Sequence, residues 1–202
     1  MNTRKLYYEN CHQSQFSAKV LACEETEKGF WVTLDASAFY PEGGGQACDL
    51  GFLDDAQVLA VKEENYQVLH LCHKPLAVGA EVVGRIDWPR RFDQMQQHTG
   101  EHILSGILNR LFGAHNVGFH VGADTVTLDF DIPISPEGLI QAEKEANEAI
   151  FRNLPVLCNV PSEEQLKKIK YRSKKQLPWP VRIVEVPSYD TCACCGDRKS
   201  VV

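Results

Sequence analysis

His98 and His102 stand four residues apart in QHTGEHILSG, and the later stretch YDTCACCG carries Cys192, Cys194 and Cys195. Side chains at i and i+4 share one face of a helix, so both imidazoles can reach a single cation. Imidazole and thiolate together suit zinc, and Cys194 is the candidate third ligand. The histidine pair also reads as H-x-x-E-H, a metalloprotease pattern in which the glutamate, here Glu101, acts as general base. That alternative needs a further carboxylate ligand on a downstream helix, for which Glu143 and Glu145 are available. Both chemistries stay open on spacing alone.

A third segment, FYPEGGGQACDLG over 39–51, has three consecutive glycines followed by Gln46. It is not a phosphate loop: the Lys and Ser or Thr of a Walker loop are missing, and so is the G-x-G-x-x-G spacing of a dinucleotide turn. Triple glycine permits positive φ and close approach of the backbone to another surface, while the Gln amide can bind a polar ligand. Gly44, Gly45 and Gln46 are therefore candidate substrate contacts, with a tight turn in a barrel as the structural alternative.

These residues need elements to hold them. From Phe16 to Asp87 the segments FSAKVLAC, GFWVTL, AQVLAV, YQVLHLC and EVVGRID, divided by glycines and charged turns, predict a small β barrel or sandwich. At Trp88-Pro89 the apolar spacing changes to helical period through Met95, Ile103, Leu104, Ile107, Leu108 and Leu111, and a second domain begins. Alternation in DTVTLDFD (124–131) predicts a strand. Ser135-Pro136 caps a helix running to about Asn153, Val156–Val160 is a further strand, Ser162 and Gln165 form a capping box, and Val181–Val186 is a final strand ended by Pro187. The expected class is α+β with an antiparallel sheet in the second half.

The 202 residues, 44% of them apolar, suffice for one large or two small domains. No stretch approaches the roughly 18 apolar residues of a membrane span, and the first ten residues carry no secretory pattern, so a soluble cytoplasmic protein with no membrane partner is expected. In that compartment the eight cysteines stay reduced, which favours metal binding over disulfides. A net charge of −6 argues against non-specific capture of polyanions. Two basic runs, Lys167, Lys168, Lys170, Arg172, Lys174 and Lys175, and Arg85, Arg90 and Arg91, read first as solvated surface.

Together FYPEGGGQACDLG, RRFDQMQQHTGEHILSG, NVGFHVGADTVTLDF and YDTCACCG resemble the editing domain of alanyl-tRNA synthetases and the free-standing AlaX proteins, in the same order over nearly the whole chain. The resemblance implies a barrel of the translation-protein kind over 1–88. It implies an editing domain over 89–196 of the α+β type shared with threonyl-tRNA synthetase. The implied activity is zinc-dependent hydrolysis of the ester in alanine tRNA mischarged with serine or glycine, with a non-catalytic tRNA-binding relative as the alternative. Its zinc is held by an HxxxH and a later C-x-x-x-H, which fall here on His98, His102, Cys194 and position 198. Position 198 is Arg, which stays protonated and cannot ligate zinc. Glu101 and Gln46 are the candidates for orienting water or the aminoacyl group, and Thr125 or Thr127 for bonding a serine hydroxyl. Read back as GAT CGG AAG AGC GTC GTG with the stop TAG, the closing DRKSVV spells a common sequencing adapter, so 197–202 are expected to be non-native.

Overall fold

Residues 2–122, 125–173 and 180–194 are described by the computed structural model, and the chain divides into two units, Met1–Asp93 and Gln94–Val202. In the first unit β1 (Arg4–Lys5) leads into the single turn α1 (Leu6–Glu9). The strands β2 (Gln15–Thr26), β3 (Gly29–Leu34), β4 (Ala36–Ser37), β5 (Gly51–Leu53), β6 (Ala56–Glu64), β7 (Gln67–Cys72) and β8 (Glu81–Ile86) follow. β1 and β4 pair in parallel. The other six pair antiparallel in an unbroken ring, β2-β3-β7-β6-β5-β8, a closed barrel.

Alternation along β2 drives the closure. Phe16, Ala18 and Val20 are buried while Gln15, Ser17 and Lys19 face outward, and Val32, Leu34, Leu53, Val58, Val61, Val68 and Val82 fill the same core. Phe16 also needs Gly84 opposite it, where a Cβ would sit 2.3 Å from its ring. Polar side chains are buried in this unit as well, His70 among them. His70 is fully buried; its Nδ1 lies 3.0 Å from the Val32 carbonyl and its Nε2 2.8 Å from Ser37 Oγ. A carbonyl only accepts, so Nδ1 carries the proton and Nε2 accepts from the hydroxyl. Burial pushes the His70 pKa down to about 4, against the opposing bond to Val32.

Helix α2 (Trp88–Phe112) starts in the first unit and runs through the second. The strands β9 (Asn116–Val121) and β10 (Val126–Phe130) pair antiparallel. Next come α3 (Pro136–Phe151), β11 (Leu157–Asn159), α4 (Glu163–Leu166), β12 (Ile183–Val186) and β13 (Asp190–Ala193), and β11, β12 and β13 form an antiparallel sheet in that order. The class is α+β with antiparallel sheets, as expected. Ser135 caps α3 by accepting from Gly138 N, and Ser162 and Gln165 form the reciprocal capping box of α4. Ile103, Ile107 and Leu108 of α2 pack with Ala142 and Ala149 of α3 and Val184 and Val186 of β12.

Two strands of this unit differ from expectation. The segment ending at Pro187 is not the final strand, because a hairpin returns the chain as β13. β9, with Gly118 in its middle, lacks the apolar alternation that marks β10. Of the shorter basic run, Arg85 is exposed and Arg90 partly so, but Arg91 does not lie on the surface. Arg91 is fully buried: its Nε lies 2.9 Å from both carboxylate oxygens of Asp49, and its other nitrogens donate to the carbonyls of Cys11 and Ala38. Among the described residues, no helix is long and apolar enough to cross a membrane, and Cys23, Cys48 and Cys72 are free thiols.

Candidate metal centre

Helical spacing does place His98 and His102 side by side, with ring centroids 5.9 Å apart, and both are almost fully buried. β13 supplies the third donor. Successive strand residues alternate faces, so Asp190 and Cys192 share one side of β13 and Cys194, directly after it, falls in the same phase. The ligand atoms of His98, His102 and Cys194 all lie within 4.8 Å of one another. Gly106, one turn past His102, lets α2 come this close, since a Cβ there would stand 2.2 Å from the Tyr189 carbonyl oxygen and 2.8 Å from Asp190 Cβ.

The surroundings prepare His102 for a metal. Its Nδ1 lies 2.6 Å from Asp190 Oδ2, and Arg172 donates to the same carboxylate through Nε at 2.8 Å and Nη2 at 2.9 Å. Burial works against the charge on Asp190, but the bonds from His102 and Arg172 outweigh it and hold its pKa below the usual carboxylate value. An ionised carboxylate only accepts, so the imidazole proton sits on Nδ1 and the Nε2 lone pair is presented to a ligand. Arg172 is brought to this place by backbone pairing with β13: its N–H donates to Thr191 O and its carbonyl accepts from Ala193 N, both at 2.8 Å. His98 stacks on Phe119 of β9 at 4.8 Å and 24°. Two imidazoles and a thiol with a carboxylate behind one imidazole fit zinc chemically. A second group, His102, Asp190 and Cys192, also lies within 4.8 Å, but there Asp190 is already bonded to Arg172 and His102.

Glu101 is buried beside the donors. Its Oε1 accepts from Ser105 Oγ at 2.9 Å and Asn116 Nδ2 at 3.1 Å, and Oε2 lies 3.7 Å from His102 Nε2. The carboxylates that a protease would add are elsewhere: Glu145 pairs with Arg110, Glu143 is exposed, and neither joins a ligand group among the described residues. Thr127 pairs with His120 on β10 and β9, and both are exposed; strand alternation puts them on the face opposite Phe119 and Leu128. Thr125 is exposed just before β10, its carbonyl accepting from Gly122 N at 2.9 Å.

Gly44, Gly45 and Gln46 belong to the first unit. Gly44 and Gly45 have φ of 62° and 83°, and Gly43 and Gln46 exchange two backbone hydrogen bonds of 3.1 Å, which makes a two-residue turn of the primed kind. The glycines are exposed while Gln46 is buried. Cys195, position 198 and the 197–202 tail lie outside the described residues, as do Lys174 and Lys175 of the longer basic run. Sequence reading missed Asp190 and Arg172. The signal for Asp190 was its place in YDTCACCG, two and four residues before cysteines on an alternating strand, whereas nothing local distinguished Arg172 from its neighbouring lysines.

The family model for tRNA synthetases class II (A) matches residues 2–90. The alanyl-tRNA editing protein Aarsd1-A of Xenopus laevis is 34% identical over 192 residues, covering 93% of this chain and 46% of that protein. Aarsd1 of Bos taurus is 32% identical over 206 residues, covering 92% of this chain and 46% of that protein. The alanine--tRNA ligase of Pyrococcus furiosus is 36% identical over 209 residues, covering 96% of this chain and 22% of the ligase. The chain thus spans about half the length of the editing proteins it matches. With four motifs in order and these relatives matched along nearly all of its length, the chain belongs to the family that AlaX-type alanyl-tRNA editing proteins share with alanyl-tRNA synthetases.

Proposed function

We propose that this chain hydrolyses the ester bond of alanine tRNA mischarged with serine or glycine, using one zinc ion held by His98, His102 and Cys194. The observation that carries the reading is the convergence of those three donors with Asp190 fixing the His102 tautomer. A zinc ion bound there supplies a Lewis acid for an ester carbonyl. Glu101 is the proposed proton acceptor for the attacking water: Ser105 and Asn116 hold one carboxylate oxygen, and the other is turned toward the donors. A serine hydroxyl contact through Thr125 or Thr127 requires the aminoacyl group to reach the exposed face of the β9–β10 hairpin. Gly44, Gly45 and Gln46 are proposed to meet the substrate from the first unit, a barrel of the translation-protein kind.

A separate hydrolytic check has a physical reason. Serine adds one hydroxyl to alanine, and an apolar pocket rejects such an addition only about a hundredfold. The test is hydrolysis of seryl- and glycyl-tRNA for alanine, with zinc content measured on the same preparation, for this chain, for Arg198→His and for His98→Ala. Deacylation that tracks zinc and disappears in His98→Ala is the expected result. Zinc-replete protein that leaves both esters intact would overturn the reading, and Glu101→Gln with full zinc and unchanged rate would remove Glu101 from it.

A further inference from the structure

Asp190 also lines a cleft of about 610 Å³, within the range of small-molecule and nucleotide sites. Its walls include Asn109 and Arg110 of α2, the segment Lys170–Arg172, and Tyr189 before β13. Three cations, Arg110, Lys170 and Arg172, line it against one carboxylate, Asp190, in a chain whose net charge is −6. The cleft is therefore locally positive on an acidic protein. Arg110 also pairs with Glu145, but both side chains are partly exposed, and a solvent-screened pair holds its members weakly enough for a phosphate to compete. Tyr171, 37% exposed, offers a ring face beside the cations.

We propose that this cleft binds a phosphodiester-linked nucleotide of the RNA strand that brings the ester to the metal centre, with Lys170 and Arg110 on phosphates and Tyr171 stacked on a base. The proposal rests on the editing reading for the identity of the strand. Position supports it: Asn109 and Arg110 stand seven and eight residues beyond His102 on α2, roughly 10 Å along the axis at 1.5 Å per residue. Asp190 contributes to both places, bonding His102 with its carboxylate and lining the cleft. Paired cations and an exposed aromatic ring are what a single strand needs, whereas an acidic peptide would use the cations alone.

The experiment is fluorescence anisotropy of labelled, uncharged alanine tRNA against salt concentration, for the wild-type chain, the double variant Arg110→Ala/Lys170→Ala, Tyr171→Ala, and Lys144→Ala as a cation of the same unit outside the cleft. Loss of two phosphate contacts should weaken binding about tenfold near physiological salt and reduce the slope of log K against log salt by about 1.4. Tyr171→Ala should cost about tenfold with the slope unchanged. Lys144→Ala should change affinity less than about twofold, the expectation for a charge that touches no phosphate. Cleft variants that behave like Lys144→Ala would overturn the proposal. An effect of the double variant without one of Tyr171→Ala, with polyglutamate displacing the tRNA equally well, would overturn it in favour of a general anion surface. Because uncharged tRNA is never hydrolysed, cleft-dependent binding without deacylation would count against the editing reading alone, and deacylation with cleft-independent binding against the cleft alone.

Discussion

Replacing Arg91 with Met should be among the most damaging single substitutions in the first unit. The guanidinium is completely buried and so is its partner, with 0% and 1% of the Arg91 and Asp49 side chains exposed. Substitution removes the donors to both Asp49 oxygens and to the Cys11 and Ala38 carbonyls, and it leaves Asp49 a buried charge facing Tyr40 N, which donates to it at 2.6 Å. Breaking such a pair costs about 3–5 kcal/mol. With a urea m-value of roughly 1–1.5 kcal/mol per molar for a unit of this size, the midpoint should fall by about 3 M. Urea unfolding followed by the fluorescence of Trp31 and Trp88 in a Trp179→Phe background reads this transition without assuming that the two units unfold together. Asp49→Asn keeps an acceptor for Tyr40 N, so Arg91→Met/Asp49→Asn should be less destabilised than the sum of the singles. A midpoint shift below about 0.5 M for Arg91→Met, which corresponds to a surface pair, would refute the reasoning.

Three further outcomes follow from the same structure. Asp190→Asn, which can no longer anchor the His102 tautomer as a charged acceptor, should weaken zinc binding about 10–100-fold in a chelator competition, and wild-type affinity would show that the hydrogen bond does not prepare the ligand. Gly106→Ala must push the Tyr189–Asp190 backbone away from α2, so it should lower zinc affinity and thermal stability together; an unchanged melting temperature with unchanged affinity would contradict the close approach. His70 stays neutral when folded down to about pH 4 but takes up a proton near pH 6.5 when unfolded, so stability is intact above pH 6.5 and is lost as pH falls from there to about 4. The loss is on the order of 3 kcal/mol. His70→Gln should flatten that part of the stability profile, and a profile identical to wild type would assign the acid sensitivity to other groups.

Long elements with one dominant rule were legible in the sequence. β3 falls on the expected residues Gly29–Leu34, α2 starts at Trp88 as Pro89 in the first turn requires, and the Ser162 capping box forms as written. Two-residue strands such as β1 and β4 have no period to detect and exist only through tertiary pairing. The same limit applies to charge. Arg91 and Arg172 look like members of solvated basic runs, and only the fold reveals that each meets a buried aspartate far away in sequence. The histidine spacing pointed to two donors because a helix converts i+4 into proximity. What stands behind those donors depended on β13, whose four residues were read only as part of a cysteine cluster.

The hairpin between β12 and β13 decides more than a chain reversal. Val186 pairs with Asp190, so three residues, Pro187, Ser188 and Tyr189, make the loop, and Ser188 adopts the left-handed φ of 71° that such loops use. β13 is registered by that loop, by β12 and by its two backbone bonds to Arg172. One added residue in a loop that keeps its length would move every later side chain to the opposite face, so that Tyr189, Thr191 and Ala193 would take the places of Asp190, Cys192 and Cys194. A single-codon insertion in this loop would therefore undo the metal centre with every donor residue still present in the sequence.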